Sequence, residues 1–298
     1  MRELEFWMDF ADKVFAFGAK LFQLPSLAAS DAKPTDVKSV ALMLVSRSLS
    51  NYQASRVLLD KGYIVEAEVL TRCCFENMFW ITALNNRGDE FVSDMHSDNE
   101  AFILKQANRE ATWSQGDEPP NHILTWRHLA ADVLETPGRR AAIRHLEAAK
   151  QGSSDSYYLE YGKLSAGAAH PSSRSLSRHL KRGENEGDFT ISAAVEADSE
   201  DILDVLQLGT RALFFICDTA SNILYEETDD EKEIVELNEE FGWLLDLHEE
   251  FFQMKHHMRP PPIVGKPLSK AGKKELRRRQ RNKTAAKSKP SPKSKARC

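Results

Sequence analysis

Cysteine is scarce and poorly spaced for cross-linking or metal binding. The four residues are Cys73, Cys74, Cys217 and Cys298, and no Cys-x-x-Cys pair occurs. That excludes a zinc ribbon, a thioredoxin-type redox motif and a disulfide scaffold, and it fits a reduced, cytoplasmic protein. Histidines are equally scattered: there is no His-Glu-x-x-His or His-x-x-x-His, and His122 and His128 do not share a helical face. No metal and no cofactor is expected on that spacing. Long apolar runs are missing too. The N-terminus is rich in Phe, Trp and Ala, but Glu3, Glu5, Asp9, Asp12, Lys13 and Lys20 interrupt it, which excludes a signal peptide. Nothing approaches the roughly 20 uncharged apolar residues of a membrane helix, so no membrane contact is expected. Gly162-Lys163-Leu164-Ser165 is not a phosphate loop, because Tyr157 replaces its first Gly and Leu164 its Ser or Thr. Ser165 between Gly162 and Gly167 likewise misses the nucleophile elbow by one residue. There is no fixed-period repeat and no series of alternating strands.

What is present is charge of two signs in two places. The chain has 298 residues and a net charge of −5, yet residues 263–298 hold nine Lys and five Arg against the single acid Glu275. This end carries +13 and residues 1–262 carry −18. An acidic body is therefore joined to a strongly basic tail. The body has ample apolar material for a core, since the chain is 41% hydrophobic with 15 Phe and 5 Trp.

Helical periodicity organises that material. Phe6, Phe10, Val14, Phe17, Leu21 and Leu24 step by three and four and predict an amphipathic helix ending before Pro25. A second helix runs from Val37 to about Asp60 and closes on Gly62. Residues 64–86 are apolar nearly all round, as befits a helix in the middle of a bundle. Residues 89–113 form a charged helix with Phe91, Met95, Phe102, Ile103 and Ala107 inward. Short helices follow over 121–150, then one over 153–169, and residues 189–192 allow a short strand. Two long helices end at Pro260-Pro261-Pro262. The fold class is all-α, a multi-helix bundle of about eight helices with a disordered basic C-terminal tail. Its parts are an N-terminal amphipathic helix and connection over 1–36, a helical-bundle domain over 37–259, and the tail over 260–298.

One constellation in the central helix carries chemistry. Val65, Val69, Arg72, Glu76, Phe79 and Ala83 share a stripe, so Arg72 and Glu76 take two successive slots on a largely apolar face. The pair is either a buried salt bridge fixing helix register or the wall of a polar pocket completed by a third group. The candidate third group is His170, which ends the Tyr157–Ser165 helical run before Pro171 and stands near Ser165.

Arg47, then Gly62-Tyr63-x-x-Glu66-Ala67-x-x-Leu70-x-Arg72-x-x-x-Glu76, then Ser165-x-x-x-x-His170-Pro171-Ser172 resemble a bacterial family of unknown function over about residues 38–225. That family is itself similar to the HEPN superfamily of helical bundles. The resemblance implies an HEPN-like core, a homodimer, and a role in bacterial stress or phage defence. It also implies a metal-independent endoribonuclease built on Arg followed, four to six residues on, by His. Arg174 and His179 fit that spacing literally; the alternative is His170, with Lys163 seven residues upstream. In such an enzyme the 2′-hydroxyl attacks phosphorus, His170 or His179 moves a proton, and Arg174 or Arg178 stabilises the charge. Arg72, Glu76 and Ser165 complete the candidate catalytic set.

The residues alone equally allow a non-catalytic helical module that binds a protein partner, a nucleotide or nucleic acid, with Arg72–Glu76 structural. The tail offers a separate contact, because Lys273, Lys274, Arg277, Arg278, Arg279 and Arg281 can hold RNA or other nucleic acid through phosphates. The absence of aromatic residues there removes any base-stacking platform.

Overall fold

A computed structural model describes residues 2–24, 35–113, 121, 123–126, 128, 143–169, 173–182, 188–193, 195, 197–225 and 231–257. Contacts divide the chain into two units, Met1–Leu244 and Leu245–Cys298. In the second, the described residues are the helical ones up to His257. The basic tail and its six candidate cations lie outside the described residues.

Among the described residues, the regular elements of the first unit are helices and one small ribbon. Helix α1 spans Arg2–Lys20 and continues into a 3-10 turn, Leu21–Gln23. Its inner line is Trp7, Phe10, Val14, Phe17 and Leu21, all essentially inaccessible, whereas the expected Phe6 is 38% exposed. Trp7 lies three residues before Phe10 and seven before Val14, so it is Trp7 and not Phe6 that continues the line.

Helix α2 spans Val37–Asp60 and starts where the Asp36 carboxylate accepts the Ser39 N–H at 2.6 Å. It ends at Gly62, whose φ of +79° is left-handed and suits glycine. Helix α3, Ile64–Arg87, packs against α2 and, over its length, against most of the unit. It is the central helix its apolar sequence implied. Helix α4 is Asp89–Trp113. Phe91 and Ala107 are buried as expected, but Phe102 is 58% exposed, standing 100° of helical rotation off the line from Ile103 to Ala107.

The stretch expected as one helix over 153–169 is several pieces. Helix α5, His145–Gln151, ends at Gly152 and Ser153, and Ser153 has a φ of +57°. A 3-10 turn at Asp155–Tyr157 leads into α6, Tyr158–Leu164, and a π turn, Ser165–Ala169. Helix α7, Ser173–Ser177, precedes an antiparallel ribbon of β1, Leu180–Arg182, and β2, Phe189–Ile191, with Lys181 opposite Thr190. Helix α8 is Ser199–Leu224, opened by an Asp198–Asp201 capping box, and α9 is Lys232–His257.

Helix α8 lies against α3, α2 and α1. Where it meets α2 and α3 the seam is polar: Tyr52 and Thr210 share a hydrogen bond of 2.7 Å, and between α2 and α3 Ser55 bonds the Ala67 carbonyl at 3.0 Å. Gly209 brings the helices together there, since a Cβ on it would meet the Tyr52 ring at 3.2 Å. Where α8 meets α1 the contact is aromatic, with Phe10, Phe214 and Phe241 in mutual ring contact.

Candidate functional site

Glu68, Arg72 and Glu76 recur at four-residue intervals on α3 and form a ladder of charge on one face. Arg178 donates to Glu68 at 2.5 Å, and Arg72 donates to Oε1 of Glu76 at 2.5 Å. The same Glu76 oxygen accepts the Tyr161 hydroxyl at 3.2 Å, and the Arg72 guanidinium lies over the Tyr161 ring, 5.5 Å from its centre. The Arg72 and Glu76 side chains are about one-fifth exposed. Burial alone would lower the Arg72 guanidinium, but the Tyr161 hydroxyl and the Glu76 carboxylate outweigh it and hold it above its ordinary value. Burial also pushes the Tyr161 hydroxyl up, with Arg72 pulling it part of the way back.

The far side of Glu76 looks into a cavity of about 510 Å³ bounded by α2, α3, α4 and α5. Its walls are mostly apolar: Val40, Met43 and Leu44 from α2, Trp80 from α3, Val92 and Met95 from α4. Its polar groups are Arg47, Glu76, Asn77, His96 and His145. Asn77 is already engaged, donating to the Ser48 hydroxyl at 3.0 Å. His145 sits at the start of α5 with Nε2 3.6 Å from Glu76 Oε1 and its ring 5.6 Å from that of Tyr161.

His145 is held there from both ends of its short helix. Before it, the Ile143 N–H donates to Asp98 on α4 at 2.8 Å. After it, Asn86 donates to the Gln151 carbonyl at 2.9 Å, and Ser154 and Thr82 hydroxyls meet at 3.0 Å. Gly152 makes the closest approach: a Cβ there would fall 2.1 Å from Thr82 Oγ1 and 2.7 Å from the Ala83 nitrogen. Only glycine lets the end of α5 sit on α3 this tightly.

Among the residues singled out from sequence, Arg72 and Glu76 are joined to each other. The groups beside them are Tyr161 and His145. Ser165 opens the π turn; its Oγ is buried and close enough to the Tyr161 hydroxyl to favour its ionised form, without hydrogen-bond geometry. His179 is engaged with the ribbon instead: its Nδ1 is 3.2 Å from the Ser192 carbonyl, and its own carbonyl accepts the Ser192 N–H at 2.8 Å. Arg174 belongs to α7, and His170 lies outside the described residues. Among the described residues no group of three or more His, Cys, Asp or Glu is placed to hold a metal ion, and no helix is long and apolar enough to cross a membrane.

His145 and His96 were not found by sequence reasoning, and Arg47 entered only through a resemblance. A signal existed for two of them. Val40, Leu44 and Arg47 step by four and three, and Val92 and His96 by four, so a basic group ends an apolar line on both α2 and α4.

No curated protein and no solved structure matches the chain. Residues 38–188 match DUF5677, described as a family of unknown function. That segment contains every residue lining the cavity, together with the Arg72–Glu76–Tyr161 cluster. The chain therefore belongs to the DUF5677 family.

Proposed function

We propose that the protein is a helical binding module that holds a small organic ligand in the cavity between α2, α3, α4 and α5. The carrying observation is the cavity itself. Its volume of about 510 Å³ and its apolar walls with a few convergent polar groups match the character of small-molecule sites. The Arg72–Glu76 pair is then structural. With both Arg72 and Tyr161 on one Glu76 oxygen, the carboxylate props the cavity wall and places His145.

The test uses a neutral apolar dye, N-phenyl-1-naphthylamine, whose fluorescence rises on leaving water. Wild-type protein gives a saturable signal. Met43→Trp, a change at a rim residue that is 52% exposed, removes the signal and leaves the circular dichroism intact. A signal that survives Met43→Trp unchanged places the dye elsewhere and counts against the reading.

The ribonuclease implied by the HEPN resemblance rests on His170 and the Arg174 side chain, which lie outside the described residues, and on Arg178 and His179, of which the first is paired with Glu68 and the second has Nδ1 against the Ser192 carbonyl. Incubating RNA in EDTA with wild-type and His170→Ala protein tests it: cleavage by the wild type alone supports an enzyme. The tail is a separate matter. Its charge of +13 within 36 residues supports phosphate contacts with nucleic acid, and deletion of residues 263–298 removes retention of single-stranded RNA on a filter.

A further inference from the structure

We infer that the ligand of this cavity is an organic anion, an apolar ring or short chain bearing one carboxylate, sulfate or phosphate. This deepens the binding reading above and rests on it. Five polar side chains face the cavity: Arg47 from α2, Glu76 and Asn77 from α3, His96 from α4 and His145 from α5. The single acid, Glu76, is neutralised by Arg72 on its own helix and accepts the Tyr161 hydroxyl on the same oxygen. Asn77 carries no charge and gives one amide N–H to Ser48. His145 stands beside Glu76, its Nε2 3.6 Å from Oε1. That leaves Arg47 and His96, on two different helices at the mouth, both exposed and without a hydrogen bond or ion pair to any described residue.

The cavity therefore has an apolar floor and an unmatched cation at its entrance. A cationic ligand is repelled by Arg47. A neutral ligand covers the guanidinium and takes away its water without replacing the lost hydrogen bonds. An anion does the opposite, since a planar carboxylate or a phosphate can accept two parallel hydrogen bonds from one guanidinium. His96, an imidazole on the facing helix, adds a second donor. The competing account of Arg47 is a solvated rim side chain with its stem on the wall, and it predicts no preference between neutral and anionic ligands.

Two dyes with the same body separate these accounts: N-phenyl-1-naphthylamine and its sulfonate, 8-anilinonaphthalene-1-sulfonate. The wild-type protein binds the sulfonate at least about ten-fold more tightly at low ionic strength, and added salt erodes the difference. Arg47→Gln lowers sulfonate affinity by about ten-fold and leaves the neutral dye within about two-fold, while Arg47→Lys recovers part of the loss. His96→Gln gives a smaller loss of the same kind. Both positions are exposed, so the variants keep the fold. Equal affinities for the two dyes, or equal losses of both in Arg47→Gln, overturn the anion inference and leave the binding module standing. Failure of both dyes to saturate, or indifference of both to Met43→Trp, overturns the binding reading itself.

Discussion

One oxygen of Glu76 receives both Arg72 and Tyr161, and the cluster they form is four-fifths buried. Removing one member leaves a charge with poor access to water, whereas removing both leaves an apolar surface that can close up. Glu76→Leu and Arg72→Ala are each expected to lower unfolding free energy by about 1–3 kcal/mol in urea titrations. The double variant Arg72→Met/Glu76→Leu is expected to lie closer to the wild type than either single change. If the losses simply add, the pair is not an energetic unit.

Several buried groups also bind their protons more tightly in the folded state. Burial raises Tyr52, Tyr157 and Tyr161 and the thiols of Cys73, Cys74 and Cys217 above their ordinary values. For each, the unfolded chain loses its proton first as pH rises, so their contribution is intact below the unfolded pKa and drains away above it. Stability is expected to fall from about pH 8.5, where unfolded thiols ionise, and more steeply above about pH 10, where unfolded tyrosines do. Urea midpoints between pH 7 and 11 measure this, and a flat profile there contradicts it. The pairing of Arg72 with Glu76 was legible in the sequence because four-residue spacing on a helix dictates adjacency. Tyr161 and His145 were not, since 85 and 69 residues of chain separate them from Glu76 and no periodicity spans that gap.

At the scale of the element, α3 was the easiest to read and α5 the hardest. A helix apolar on all sides needs neighbours on all sides, and α2, α5 and α8 supply them. Helix α5 has seven residues, too few for a stripe to declare itself, and its place is decided by tertiary contacts with Asp98, Asn86 and Thr82. The expected helix over 153–169 is realised over 155–169 with changing pitch, a 3-10 turn, α6 and a π turn in succession, and the left-handed Ser153 separates it from α5. Gly152→Val makes the dependence on tertiary contact measurable. A branched side chain 2.1 Å from Thr82 Oγ1 forces α5 off α3, with an expected loss of about 1–3 kcal/mol and disappearance of dye binding. Thr82→Ala in the same chain recovers only part, because the Ala83 nitrogen still stands 2.7 Å from the new Cβ.

The whole molecule does not coincide with the family segment. Residues 38–188 carry the cavity, but α1 and α8 lie outside them. Helix α8 buries Val205, Leu206, Leu213, Phe214 and Ile216, and its Thr210 satisfies the Tyr52 hydroxyl in α2. A fragment of residues 38–188 alone exposes the α2 and α3 faces that α8 covers and strands Tyr52. It is expected to be unfolded or aggregated by circular dichroism and gel filtration, whereas residues 1–257 remain folded. A cooperative melt from the short fragment would show that α8 is dispensable.

The closing of the cavity by α5 links occupancy to folding. Three of its walls are contiguous in sequence over residues 40–96, and the fourth arrives with His145. A ligand that touches His145 binds only molecules whose α5 has docked, so it withdraws molecules from the undocked population by mass action. At one hundred times its dissociation constant it adds about 2.7 kcal/mol to stability. That increment belongs first to the amides of residues 145–151, which then exchange with solvent more slowly in the presence of ligand than in its absence.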